Sequence, residues 1–128
     1  MPRRERSDRP ASGLRVLVVE DEIMVSLLIE DMLGDFGHHV VGPVAHLNKA
    51  VEMARREALD VAILDVNIKG KEVYPVAEAL AARGIPFIFA TGYAKGGLRA
   101  PYLDRPSLQK PFRRHTLREL FAAVCGSK

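Results

Sequence analysis

The stretch RVLVVEDE, residues 15–22, runs from a β-type apolar segment straight into three consecutive acids. A short, continuous apolar run of this kind reads as a strand buried on both faces, as in a parallel sheet. Similar runs recur at Val40–Val44 (VVGPV), Val61–Leu64 (VAIL) and Pro86–Ala90 (PFIFA), with a weaker one at Ser107–Gln109 (SLQ). Between them the apolar residues change to a 3.6-residue period. Val25, Leu28, Ile29, Met32 and Phe36 form one stripe, and Leu47, Ala50, Val51 and Ala54 a second. Val73, Val76, Ala77 and Leu80 form a third, and Leu117, Leu120, Phe121 and Val124 the last. Each stripe marks a helix with one face for the sheet. Gly34 or Gly37 can stop the first helix, and Gly84 the third.

Strands alternating with helices in a chain of 128 residues imply an α/β (βα)5 domain with right-handed crossovers. Between Gly92 and Pro106 the segment GYAKGGLRAPYLDRP is rich in glycine and proline, so the fourth helix is expected to be shortened or irregular.

Composition bounds the function. Hydrophobic residues at 48% and charged residues at 27% are an ordinary globular balance. No apolar run reaches the roughly 20 residues that a membrane span needs. MPRRERSDRP has no apolar stretch behind its charges, so it does not read as a secretory signal. The single cysteine, Cys125, cannot form an internal disulfide and suits a reducing cytoplasm. The formal charge of +3 is concentrated in the first residues, where Arg3, Arg4, Arg6 and Arg9 outnumber Glu5 and Asp8. Residues 1–13 are therefore expected to be a disordered basic tail, and residues 14–128 the folded domain.

In a doubly wound sheet the functional site lies at the carboxyl ends of the strands. The first run ends in Glu20-Asp21-Glu22, the third in Asp65 and the fourth in Thr91, while Lys110 follows the fifth. Two carboxylates about 4–5 Å apart repel by roughly 3–4 kcal/mol at an effective dielectric near 20. Glu20, Asp21 and Asp65 need a cation or raised pKa values to converge. Oxygen-only ligands suit Mg²⁺. Such a site could carry a phosphoryl group on one carboxylate, with Lys110 and Thr91 contacting phosphoryl oxygens. Glu22 reads more simply as an acid that favours a helix N-terminus. His38, His39, His46 and His115 have no acids or thiols at metal-site spacing, and Cys125 has no activating base in sequence.

With these residues in view, the chain resembles the response-regulator receiver family over residues 14–125. The matching motifs are VLVVEDE (16–22), LDVNIKG (64–70), FATGY (89–93) and QKPF (109–112). The resemblance implies a flavodoxin-like fold, a five-stranded parallel sheet in the order 2-1-3-4-5. It implies that Asp65 is the phosphoacceptor, with Glu20 and Asp21 as its acidic pocket. Asp21 and the backbone carbonyl of Asn67 would be direct Mg²⁺ ligands, Thr91 the switch hydroxyl and Lys110 the phosphoryl-pairing lysine. Pro111 often follows a cis peptide bond in the family. Two positions depart from the pattern: Ser107 stands where an aromatic residue is usual, and Lys69 where proline is common. FATGY followed by a proline-interrupted loop further resembles a subfamily of free-standing alphaproteobacterial receivers.

The expected function is a cytoplasmic single-domain response regulator that accepts a phosphoryl group from a sensor histidine kinase or a histidine phosphotransfer protein. It would catalyse only its own phosphotransfer and autodephosphorylation. A Mg²⁺-dependent aspartyl-phosphate phosphohydrolase would use similar residues, but it needs a second Asp where this chain has Asn67. A nucleic-acid-binding role for the basic tail is the other rival, and no helix-turn-helix module follows the last helix. Output is expected through a downstream protein that contacts residues 92–106 and the last helix, with no direct nucleic acid and no membrane. Few buried apolar contacts are expected to restrain 92–106, and Tyr93 is the expected reporter in place of Ser107.

Overall fold

The computed structural model describes residues 13–92, 98, 101–102, 105–110 and 112–125. Its strands are β1 (Arg15–Val19), β2 (His39–Val44), β3 (Val61–Asp65), β4 (Asn67–Ile68), β5 (Lys71–Glu72), β6 (Phe87–Thr91) and β7 (Ser107–Gln109). The helices are α1 (Ile23–Asp35), α2 (Leu47–Arg56), α3 (Tyr74–Ala82) and α4 (Arg114–Val124). Five parallel strands form one sheet in the order β2-β1-β3-β6-β7, the order that the family resemblance implies, with the alternating strands and helices that the sequence pattern predicts. The two-stranded hairpin β4–β5 has strands too short to leave a period in the sequence.

Every residue of β3 and β6 is buried, so these strands read as unbroken apolar runs. Alternation along β1 divides the core in two. Val16 and Val18 join Ile63, Ile88, Ile29, Leu33, Leu117 and Phe121 on the face covered by α1 and α4. Leu17 and Val19 join Leu64, Phe87, Phe89, Ala50, Ala54, Val76 and Leu80 under α2 and α3. Each face of the central strands is thus covered by a pair of helices.

The helix ends follow backbone chemistry. Gly37, at φ 86°, lies two residues beyond α1, and Gly84, at φ 73°, two beyond α3, so left-handed glycines stop both helices. Arg114 of α4 pairs with Asp31 at 3.4 Å and with Asp35 on α1, and the Arg118 guanidinium covers the Phe36 ring at 4.9 Å.

Two expectations need correction. In α1 the buried residues are Ser26, Ile29, Met32 and Leu33; Leu28, placed in the stripe, is 43% exposed. Beyond β6, few buried apolar contacts are expected to restrain 92–106, yet Leu98 and Tyr102 are buried in the core. The Tyr102 ring stacks on Tyr74 with centroids 5.1 Å apart and meets Phe87 and Phe89 edge-on. Arg105 lies 4.8 Å above the Phe87 ring. These aromatic contacts anchor part of a segment expected to be loosely held. The tail before residue 13, Tyr93 and Pro111 lie outside the described residues.

Candidate functional site

Parallel register brings the strand ends to one edge. Asp65 is the last residue of β3 and pairs with Ala90; Thr91, the last of β6, pairs with Gln109. The Lys110 N–H donates to the Thr91 carbonyl at 2.8 Å, so Lys110 leaves β7 directly beside β6. Glu20 follows β1 with its N–H donating to the Val44 carbonyl at 3.0 Å. Glu20, Asp65 and Thr91 are buried at 3%, 7% and 3% exposure, which is rare for such groups away from a functional site.

The Lys110 ammonium is the hub. Its Nζ lies 3.2 Å from Asp65 Oδ2, 3.0 Å from Glu20 Oε1 and 3.2 Å from Glu20 Oε2, with Glu22 Oε1 farther at 3.4 Å. Burial alone would lower the Lys110 pKa, but Glu20 and Asp65 outweigh it and hold the group above its ordinary value. Asp65 moves the other way. Burial, then the neighbouring Glu20 charge, raise its pKa from 3.8 to about 7 against the opposing pull of Lys110. One ammonium does not balance two buried carboxylates.

Backbone N–H groups order the acids further. Asp65 Oδ1 accepts from Asn67 at 3.3 Å, Glu20 Oε2 from Glu22 at 3.1 Å, and Asp21 Oδ2 from Lys69 at 2.8 Å. Glu22 occupies the N-cap position of α1 with an exposed side chain that makes no cap hydrogen bond. Its carboxylate faces both the helix N-terminus and the rim of the site.

The sequence-derived set of Glu20, Asp21, Asp65 and Lys110 is brought together as expected. Thr91 ends the adjacent strand, and Asn67 touches Asp65 through its N–H. Among the described residues, Glu20, Asp21 and Asp65 form the only group of three or more acids, histidines or cysteines at metal-holding range, with oxygens within 4.8 Å. Glu20 Oε1 is buried and accepts no well-angled hydrogen bond, although Lys110 Nζ lies 3.0 Å away. Three converging carboxylates, with one buried oxygen lacking a hydrogen bond, are the donor set a hard divalent cation takes. The residues therefore fit Mg²⁺.

The histidines lie elsewhere: His39, His46 and His115 are exposed, and His38 packs between Phe36 and Phe121. Burial, then Asp60, push the Cys125 thiol up to about 11, so it stays protonated at neutral pH. Two features carried no sequence signal as parts of the site. One is the Lys69 N–H, because every residue but proline has such a donor. The other is a cluster of exposed apolar side chains on α1 beside the acids: Ile23 at 73%, Met24 at 78%, Leu27 at 53% and Leu28 at 43%. Their apolar character was visible, but the sequence does not say which of α1's apolar residues face water.

Comparison with known proteins agrees with this geometry. A family model described as response regulator receiver domain matches residues 16–122. The solution structure of SdrG from Sphingomonas melonis Fr1 superposes with a TM-score of 0.79 at 41% identity, covering 87% of this chain and 95% of that one. SdrG is a receiver-type protein of the alphaproteobacteria, the group that the FATGY motif suggests. The receiver domain of sensor histidine kinase PA1611 from Pseudomonas aeruginosa PAO1 gives a TM-score of 0.75 at 27% identity, covering 91% of this chain and all of that one. That structure has a magnesium ion coordinated in its active-site cleft. The transcriptional regulatory protein PdtaR of Mycobacterium tuberculosis is 29% identical over 102 residues, 77% of this chain. This chain spans about half the length of PdtaR (50%). The fold, the strand-end acids and the match over residues 16–122 agree: the chain belongs to the response regulator receiver domain family.

Proposed function

We propose that this chain is a response-regulator receiver whose Asp65 carboxylate accepts a phosphoryl group from a sensor histidine kinase or a histidine phosphotransfer protein. The observation that carries this reading is the half-neutralised pocket: Asp65 lies against Glu20, with Lys110 Nζ 3.2 Å away. In the transfer, the P–N bond of a phosphohistidine breaks, a P–O bond to Asp65 forms, and the imidazole leaves with the electron pair. Asp65 must be ionised to attack, and a metal-free carboxyl that titrates near 7 is only partly so at neutral pH.

Bound Mg²⁺ would supply the missing positive charge and neutralise the phosphoryl oxygens during transfer. Glu20, Asp21, Asp65 and the Asn67 carbonyl would hold it. Lys110 would move its ammonium to a phosphoryl oxygen, and the Thr91 hydroxyl would hydrogen-bond another. The donor must cover the mouth of the site to reach Asp65, and the exposed Ile23, Met24, Leu27 and Leu28 offer it an apolar surface directly beside that mouth. No turnover of an external substrate is part of this reading, since Asn67 replaces the second acid of an aspartyl phosphohydrolase.

Output follows from differential contacts. Only interactions present with the phosphoryl group and absent without it can shift the conformation, and those run through Thr91 and Lys110. Movement of Thr91 pulls on the chain beyond it, so the downstream protein partner would read residues 92–106 and α4. The chain would act in the cytoplasm, and no described helix is long and apolar enough to cross a membrane. The test is a phosphotransfer profile of the full chain against the host's histidine kinases and phosphotransfer proteins, with and without EDTA. Rapid, EDTA-sensitive labelling by a preferred donor supports the reading. Labelling from no donor contradicts it.

A further inference from the structure

The β4–β5 hairpin closes through the two residues Lys69 and Gly70, with Ile68 paired to Lys71 and Asn67 to Glu72. Both turn residues have positive φ, 52° at Lys69 and 83° at Gly70, the pattern of a tight hairpin turn that favours Asn-Gly or Gly-Gly. Lysine is a poor occupant of the first position, because its Cβ crowds the backbone in the left-handed region. Among the described residues Lys69 is the only non-glycine with positive φ. Strain of this kind persists where the surroundings enforce it and points to function.

The enforcing contact is visible. The left-handed turn aims the Lys69 N–H at Asp21 Oδ2, 2.8 Å away across 48 residues of sequence. The next amide, Gly70 N–H, is held at 2.9 Å by Asn67 Oδ1, and Asn67 N–H in turn meets Asp65 Oδ1 at 3.3 Å. The hairpin therefore ties Asp21 and Asp65, two acids from different strand ends, to one small turn. A proline at position 69 has no N–H to donate and cannot adopt φ 52°.

We infer that Lys69 is a positioning residue for the metal-binding acid Asp21 and acts through its backbone N–H. Fixing Asp21 Oδ2 orders a carboxylate that offers an oxygen within 4.8 Å of those of Glu20 and Asp65, so the pocket is formed before the cation arrives. The inference rests on the reading of this site as a Mg²⁺-dependent phosphoacceptor. By reciprocity, Mg²⁺ must also steady the hairpin.

The test uses the full chain and Mg²⁺ alone, titrated by amide chemical shifts. Lys69→Gly keeps the N–H and suits the left-handed backbone, so it should bind Mg²⁺ like the parent. Lys69→Pro should weaken binding about ten-fold, the usual scale for one hydrogen bond to a charged group. In an Asp21→Ala background, adding Lys69→Pro should cost nothing more, because the acid it positions is gone. Parent-like binding by Lys69→Pro overturns the inference alone, as does an equal further loss without Asp21. Absence of Mg²⁺ binding by the parent overturns both the inference and the reading beneath it. A second measurement leaves the hairpin sequence intact. In Asp21→Ala, Lys69 amide exchange should quicken about ten-fold while Gly70, held by Asn67, is unchanged. Unchanged exchange at Lys69 contradicts the inference.

Discussion

Ionising Asp65 in the metal-free fold places a second buried negative charge beside Glu20, and the rise of its pKa from 3.8 to about 7 expresses that cost. Between those two pH values the native chain binds more protons than the unfolded one, so this group makes stability fall as pH rises. Asp65→Asn removes that loss. The substitution should raise stability by about 1–3 kcal/mol at pH 8, a discounted form of the shift, and change it little at pH 4. Thermal melts of both proteins at the two pH values check this; an equal gain at both would exclude charge as the cause. His38 gives the opposite slope. Burial lowers its pKa below 6.5, with Asp60 opposing, while its Nδ1 accepts the Leu14 N–H at 3.3 Å. Its contribution is complete above pH 6.5 and is lost as pH falls toward the lowered value. His38→Gln should therefore flatten that acid-side loss, as denaturant midpoints measured against pH would show. At this scale Asp65, Glu20 and Lys110 were legible because charged residues that end buried strands contribute little to packing and so point to chemistry. The Lys69 N–H was not, since its role comes from backbone conformation and not from side-chain type.

Edge strand β2 turns on Gly42. Its φ is 105°, and a Cβ there would lie 3.0 Å from the Val44 nitrogen and 3.2 Å from the Val18 carbonyl oxygen. Gly42→Ala should destabilise the fold by about 1–3 kcal/mol. Gly34, inside α1, has nothing within 4 Å of the equivalent position. Gly34→Ala should stabilise by up to about 1 kcal/mol through helix propensity. Urea unfolding of the pair separates the two cases, and similar effects from both would contradict the backbone argument. The helices show where pattern reading stops. Stripes for α2 and α3 met the core as written: Leu47 and Val51 pack beside buried Ala50 and Ala54, and Val73, Val76, Ala77 and Leu80 are all buried. In α1 apolar residues occupy 23–25, 27–29 and 32–33, enough for two faces, and packing on the sheet decides which is buried. The hairpin strands are too short to leave a period. The Tyr102 anchor depends on contacts with Tyr74, Phe87 and Phe89 that are distant in sequence, which local composition does not encode.

The whole molecule combines a sheet covered by helices on both faces with a charged edge and an apolar surface on α1 beside it. If that surface receives the phosphodonor protein, Met24→Asp with Leu27→Asp should slow transfer from a kinase at least about ten-fold, as loss of an apolar anchor would. Labelling by acetyl phosphate, which needs no docking surface, should persist in the same variant. Equal losses with both donors would place the damage in the fold and not in docking. The central claim is that Asp65 itself carries the phosphoryl group. Its most direct test is intact-mass spectrometry of the full chain after incubation with acetyl phosphate and Mg²⁺. The account predicts one added phosphoryl group on the parent, none on Asp65→Asn and none when EDTA replaces Mg²⁺. Full labelling of Asp65→Asn, or a parent that never gains mass under these conditions, would contradict it.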